Sequence, residues 1–333
     1  LAHRQPGSAF KPFVYATALA AGYTPASEVD DAPISVKVGN TIWSPKNDGG
    51  EYGGHVTCRR ALMRSENTAA VRVSQLVGIP AIIATAHRFG IRSDLPNVPS
   101  AALGALEVTP MELATAYAPF ANGGFRVTPR LVRRIQTADG QVLWSSDNQK
   151  VRVMTPQDAY QITSMLQSVV NYGTGYVIRD LGVGGLVGGK TGTTNDGADV
   201  WFMGFTPTIV AGFWFGYDTP RPVGYNASGG RLAAPAWADF ITNGWDEPDP
   251  PNSWAPPAGM VPATIDARTG YLATEWCPFR QREYFKPGTL PTTPCPVHSG
   301  PPEIQLDSTL IQVPNAVEKI GKGIGGLLHR IFH

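Results

Sequence analysis

The chain has 333 residues, 42% of them apolar, which is enough to bury a sizeable core and excludes disorder as its main state. A formal charge of only +1 and the lack of any Lys/Arg-rich run leave no support for nucleic acid as the main partner. With 37 Gly and 30 Pro the chain is too rich in turns for a simple helical bundle, and its three Cys exclude a disulfide-dense miniprotein or a four-cysteine zinc site.

In chain order, the sequence opens at Leu1 without a basic or apolar leader and reads as a piece of something longer. Ser8-Ala9-Phe10-Lys11-Pro12 starts a helix, with Pro12 in the first turn where donors are unpaired anyway. Thr57 is placed to cap a helix over Cys58 to Arg64. Thr68 to Val77 reads as a helix ended by Gly78, and Pro80 to Phe89 as one ended by Gly90. Thr109-Pro110-Met111-Glu112 combines an N-cap, a first-turn Pro and a capping-box Glu; its helix runs through Ala121 and stops at Gly123-Gly124. The same grammar at Thr155-Pro156-Gln157-Asp158 feeds a helix ending near Tyr172-Gly173. Helices therefore dominate residues 8 to 172.

After Gly182 the character changes to strands. Lys190 to Thr194 reads as a short strand. Val200 to Tyr217 runs 18 residues without a charge and has the length of a membrane span, but Thr206-Pro207-Thr208 divides it into two aromatic and β-branched runs, the pattern of a buried hairpin. A helix around Ala236 to Thr242 follows. Helices first and an antiparallel run after them predict an α+β fold for residues 1–245. Residues 246–259 carry five Pro and read as a linker, 260–300 as a small Cys-containing module, and 301–333 as a tail. In the tail Val317, Ile320, Ile324, Leu327, Leu328 and Ile331 stand at helical spacing, but Gly321, Gly323, Gly325 and Gly326 favour a frayed or docked tail over a membrane-surface helix.

Three short motifs carry chemistry. In Ser8-x-x-Lys11 a hydroxyl and an amine project to one side of a helix, so that an amine with a lowered pKa can take the hydroxyl's proton. Ser65-Glu66-Asn67 supplies a hydroxyl and an amide two residues apart, a pair that alone is worth no more than an exposed cap. Lys190-Thr191-Gly192-Thr193-Thr194 is a strand with a cation and hydroxyls suited to a carboxylate, and its Gly permits close backbone approach. Gly184 to Thr191 also satisfies the phosphate-loop pattern G-x-x-x-x-G-K-[ST], but no strand precedes it and no helix follows, so a nucleotide binder is set aside.

In this order S-x-x-K, S-x-N and K-T-G are a known set for penicillin-binding proteins and class A β-lactamases. Over about residues 4 to 245 the chain resembles the transpeptidase domain of class A, bifunctional penicillin-binding proteins. The resemblance extends to Arg4 through Pro12 around the nucleophile, to TPMELATAYAPFANGG within Gly104 to Gly124, and to Lys190 through Asp196 followed by Asp199 to Gly204. It implies the penicilloyl-serine transferase fold and a peptidoglycan D,D-transpeptidase that also binds β-lactams.

By that resemblance Ser8 is the nucleophile and Lys11 its base. Backbone N–H groups of Ser8 and Thr193 form the oxyanion hole, Ser65 with Lys190 relays a proton to the leaving amine, and Asn67, Thr191, Gly192 and Thr193 bind the substrate's amide and carboxylate. The implied partners are peptidoglycan stem peptides, a D-Ala-D-Ala donor and an amine acceptor, with no metal or organic cofactor. The implied location is periplasmic, with a membrane anchor and a glycosyltransferase domain only in a preceding region. Glu66 stands where family members more often carry Asp or Ser and is expected to be without consequence. The competing readings are a D,D-carboxypeptidase or β-lactamase, for which Glu107 and Glu112 lie in the right interval, and a non-catalytic penicillin sensor.

Two further expectations concern parts outside the motifs. Cys277 and Cys295 are predicted to form a disulfide in the small module, with Cys58 a buried free thiol; zinc held with His298 is the alternative, with only three ligands in view. Only seven residues precede Ser8, whereas the resembling family completes a five-stranded sheet upstream. The hairpin's outer strand is therefore expected to be an open, aromatic-rich edge and the isolated chain prone to associate.

Overall fold

The computed structural model describes residues 2–146, 150–194 and 197–301. A 3-10 turn, Gly7–Phe10, runs directly into helix α1 (Lys11–Ala20). Every side chain from Lys11 to Leu19 is buried, as expected for a helix apolar nearly all round. Its centre is Phe13, whose ring meets those of Phe10, Phe89, Tyr117 and Phe120 at 5.0–6.0 Å between centroids.

Four short strands follow: β1 (Glu28–Asp31), β2 (Val36–Val38), β3 (Thr41–Trp43) and β4 (Gly54–Thr57), paired as the ribbons β1–β4 and β2–β3. Helices α2 (Cys58–Arg64), α3 (Asn67–Val77), α4 (Ile79–Phe89) and α5 (Pro110–Ala121) come next. Two more ribbons, β5 (Phe125–Arg126) with β8 (Val151–Arg152) and β6 (Arg134–Gln136) with β7 (Val142–Ser145), precede α6 (Pro156–Tyr172) and the short α7 (Val177–Asp180). These ribbons were not expected in the helical half. β6 and β7 are exposed throughout, so no apolar alternation marks them in the sequence.

The capping grammar holds. Thr57, Thr109 and Thr155 each accept from the backbone N–H three residues on, and Glu112 returns a bond to the Thr109 backbone in a complete capping box. Helix α3 begins at Asn67, one residue before the position predicted.

Strands β9 (Gly188–Thr193), β10 (Asp199–Phe205) and β11 (Val210–Gly216) form one antiparallel sheet in the order β11-β10-β9, followed by α8 (Ala234–Gly244). The charge-free stretch is a hairpin, with Trp201 opposite Trp214 and Phe202 opposite Phe213. β10 is buried on both faces, which explains its unbroken apolarity. Trp201, Met203 and Phe205 point into the main core with α1, α5 and α6, while Val200 and Phe202 alternate to the other side, where Phe202 meets Trp237 of α8. Among the described residues β11 has no strand on its outer side. The phosphate-loop reading fails on topology, because Lys190 lies inside β9 and a second strand follows it.

The stretch read as a linker is partly docked: Trp254 stacks edge-on against Phe205 and donates its indole N–H to the Ala121 carbonyl at 2.7 Å. The C-terminal module is built on β12 (Val261–Asp266) paired with β13 (Arg280–Phe285). It is fixed to the main domain through buried polar contacts. Arg59 of α2 makes two hydrogen bonds to the Glu283 carboxylate at 2.8 and 2.9 Å, and Lys286 bridges Asp158 and the Leu19 carbonyl. The periodic segment of the tail lies outside the described residues.

Candidate active site

The site lies where the turn before α1, the α2–α3 junction and strand β9 meet. Glycine lets them meet: Gly7 has φ +52°, a conformation few other residues adopt, and a Cβ there would stand 2.7 Å from the Thr193 carbonyl oxygen. A Cβ on Gly192 would in turn strike the Pro6 carbonyl oxygen at 2.4 Å. The close backbone approach expected at Gly192 is thus made by the turn that carries Ser8. That turn is pinned by Trp201, which donates its indole N–H to the Gln5 carbonyl at 2.9 Å, and by the Tyr117 hydroxyl, which donates to the Ala9 carbonyl.

Lys11, fully buried, donates to the Ser65 carbonyl at 2.5 Å, the Ser65 hydroxyl at 3.2 Å and Asn67 Oδ1 at 2.6 Å. Lys190, also fully buried, reaches the same Ser65 hydroxyl from β9 at 2.9 Å. Two amines from opposite ends of the sequence therefore converge on one side-chain oxygen. Ser65 closes α2 in the left-handed conformation, φ 63° and ψ 35°, which turns its carbonyl and hydroxyl toward Lys11. Among the described residues no hydrogen bond joins the Ser8 hydroxyl to Lys11.

Burial drives the Lys11 amine down from its ordinary 10.5 to about 7, against the opposing pull of the negative charges of Glu66, Asp31 and Asp48. Burial also holds Lys190 well below the ordinary lysine value, reinforced by the positive charge of Lys11. Glu66 is itself pushed upward, first by burial and then by Asp31. Its negative charge is the largest of those opposing the depression of Lys11.

The junction is held by residues that the sequence did not single out. The buried Asn47 side chain accepts from the backbone N–H groups of Asn67 and Thr68 at 2.7 and 3.1 Å and so caps α3 from a distant loop. It is itself bonded to Asp31 Oδ1 at 2.8 Å, and Asp31, fully buried, also accepts from the Thr68 hydroxyl and from Gly53 N–H at 2.7 Å. No local pattern links Asp31, Asn47 and Asn67, so only the fold reveals this support. Asn67 donates its amide to the Lys46 carbonyl at 2.7 Å, which leaves both ends of its side chain engaged.

On β9, the Thr191 hydroxyl pairs with that of Thr174 at 2.7 Å, and the Thr193 hydroxyl accepts from Gly229 N–H at 3.1 Å. Glu112, one of the two candidate bases for a hydrolase, is committed to structure. Burial would raise its carboxyl, but hydrogen bonds from Ser93, Thr109 and the Arg92 backbone hold it down at about 2. Glu107 is exposed on the surface.

Residues 2–242 match the family described as penicillin binding protein transpeptidase domain. The chain belongs to the penicillin-binding protein transpeptidase family. Residues 256–300 match a second family, the penicillin-binding protein 1A C-terminal domain. Penicillin-binding protein 1A of Pseudomonas aeruginosa is 35% identical over 367 aligned positions, covering 90% of this chain and 44% of that protein. The same-named protein of Neisseria gonorrhoeae is 41% identical, covering 72% of this chain and 31% of its own length. The chain thus spans less than half the length of these relatives.

Among solved structures, penicillin-binding protein 1A from Haemophilus influenzae superposes with a TM-score of 0.80 at 32% identity, covering 88% of this chain and 49% of that one. PonA1 of Mycobacterium tuberculosis in complex with penicillin V gives 0.65 at 26% identity, covering 75% and 72%. The penicilloyl-serine transferase fold, helices around antiparallel sheet, is therefore the fold of this domain, and it is that of serine acyltransferases.

Proposed function

We propose that this chain is the peptidoglycan-crosslinking part of a class A penicillin-binding protein, a D,D-transpeptidase working through an acyl-enzyme on Ser8. The observation that carries the reading is the convergence of two buried, pKa-depressed lysines on the Ser65 hydroxyl beside the Ser8 turn. The Ser8 oxygen attacks the penultimate D-Ala carbonyl of a stem peptide while neutral Lys11 takes its proton. The oxyanion that forms faces the backbone N–H groups of Ser8 and Thr193, donors whose loss elsewhere costs ~10²–10³ in rate.

Collapse of that intermediate breaks the bond to the terminal D-Ala, whose amine receives a proton through Ser65 and Lys190. An amine of a neighbouring stem peptide then attacks the ester, frees Ser8 and leaves the crosslink. Asn67 holds the donor's amide, and Thr191 and Thr193 its terminal carboxylate. A β-lactam offers the same carbonyl and stays attached as an ester, consistent with the penicillin V complex of PonA1 and the ceftriaxone acyl-enzyme of penicillin-binding protein A, both of M. tuberculosis. The commitment of Glu112 to its helix cap speaks against fast hydrolytic release. The reading places the domain outside the cytoplasmic membrane, anchored through a preceding region.

Intact-mass analysis after penicillin treatment tests it. One adduct per chain is expected, absent in Ser8→Ala, together with transfer of a donor peptide to an added amine. An adduct elsewhere would overturn the site, and acylation without transfer would favour a sensor.

A further inference from the structure

The C-terminal module contains a second constellation, remote in role from the transpeptidase site. Asp266 at the end of β12, Cys277, Cys295 and His298 place one carboxylate oxygen, two sulfurs and one ring nitrogen all within 4.8 Å of one another. The first three residues are buried and His298 is partly so. The structure leaves both cysteines as free thiols, so the expected disulfide is not formed. In the sequence, zinc held with His298 is the alternative to the bridge, with only three ligands in view. The fourth ligand is Asp266, a residue with no sequence signal of its own.

We propose that Asp266, Cys277, Cys295 and His298 form a structural zinc site. Tetrahedral zinc with ordinary Zn–S and Zn–N/O bonds needs donor separations of about 3.3–3.8 Å, so a modest contraction of the cluster closes the shell. The first supporting observation is the aim of a buried carboxylate. Asp266 Oδ1 accepts from Arg268 and Thr269 N–H at 2.8 and 3.1 Å, which fixes the carboxylate, while the fully buried Oδ2 faces the other three side chains of the cluster. His298 Nδ1 stands 2.9 Å from that oxygen and 3.4 Å from the Cys295 sulfur.

The remaining contacts hold the ligands as outer-shell partners do. Thr274 N–H donates to the Cys277 sulfur at 3.3 Å, the Thr274 hydroxyl donates to the His298 carbonyl, and the Thr269 hydroxyl lies 3.5 Å from the Cys295 sulfur. Four ligands from three separate segments leave no open position, as in structural rather than catalytic zinc sites. Binding releases the two thiol protons in exchange for one doubly charged ion, so the buried cluster gains no net charge. The module also needs such a tie: among the described residues its buried apolar cluster is only Ala26, Ile265 and Phe285, and Ala26 belongs to the main domain.

The test is elemental analysis of the full chain purified without chelator, incubated with zinc and freed of excess by gel filtration. About one zinc per chain is expected, with Cys277 and Cys295 shielded from alkylation until a chelator is added. Cobalt in its place should give the intense thiolate charge-transfer absorption of a tetrahedral site. Cys295→Ser and Asp266→Asn should weaken zinc binding by at least the 10–100-fold typical of an outer-shell loss, while Cys58→Ser leaves it unchanged. Should those variants fail to fold, His298→Ala, at the least buried of the four ligands, serves the same purpose. A chain mass two hydrogens short, showing a Cys277–Cys295 bridge, would overturn the proposal. So would free thiols that take up no zinc, or zinc retained in every variant of the cluster.

Discussion

If Lys11 is the base, its protonation state must govern acylation. With the amine lowered from 10.5 to about 7, the neutral form makes up about half of the population at pH 7, about a tenth at pH 6 and about a hundredth at pH 5. The second-order rate of penicillin acylation, followed by stopped flow, should therefore fall about tenfold per pH unit below 7 and level off above pH 8. The same shift must appear in stability. Between about 7 and 10.5 the unfolded chain holds the Lys11 proton and the folded chain does not, so stability rises with pH across that window and the full penalty, about 5 kcal/mol, is present below it. Lys11→Met removes the penalty. In urea unfolding from pH 10 down to pH 8, its stability advantage over the unmodified chain should widen by about 1.4 kcal/mol per pH unit. A flat acylation profile from pH 5 to 8, or parallel stability curves for the two proteins, would refute the assignment.

Other outcomes follow from single contacts. Thr191→Ala, which removes the hydroxyl paired with Thr174, should weaken reversible β-lactam binding about tenfold or more with little change in the acylation step, whereas Lys11→Ala should abolish that step; identical behaviour would show the division of roles to be wrong. Gly7→Ala should strain the backbone and push the nucleophile turn off β9, lowering acylation by about 10²-fold with circular dichroism unchanged. Arg59→Met should cost about 3–5 kcal/mol, because it strands the buried Glu283 carboxylate, and Arg59→Met with Glu283→Met should recover part of that loss in thermal unfolding.

Features governed by neighbours in sequence were legible from sequence. The caps at Thr57, Thr109 and Thr155 each involve residues three apart, and the hairpin announces itself by an apolar run broken at Thr206-Pro207-Thr208. The motif lysines were legible as residue types at fixed spacing, but their meeting at the Ser65 hydroxyl is a tertiary event, across 54 and 125 positions. The Asp31–Asn47 support was invisible for the same reason, as was Asp266, whose carboxylate acquires meaning only beside Cys277, Cys295 and His298. The cysteine pair was read as a bridge because two thiols sharing a small module announce proximity, and proximity is common to a bridge and to a shared ion. The charge of Glu66 on the buried Lys11 amine was likewise not legible from the motif, because it depends on how the α2–α3 junction packs against α1.

The left-handed backbone at Ser65 sets the folding stability of this domain against its chemistry. A residue with a Cβ held at φ 63° carries roughly 1–2 kcal/mol of strain that glycine would not. Glycine at position 65 would relieve that strain, but it would delete the oxygen on which both lysines converge. Serine there holds a strained backbone conformation and, with it, the acceptor that the site needs. Thermostabilising libraries built on this domain should hold position 65 fixed, because a glycine that relieves the strain also disarms the site.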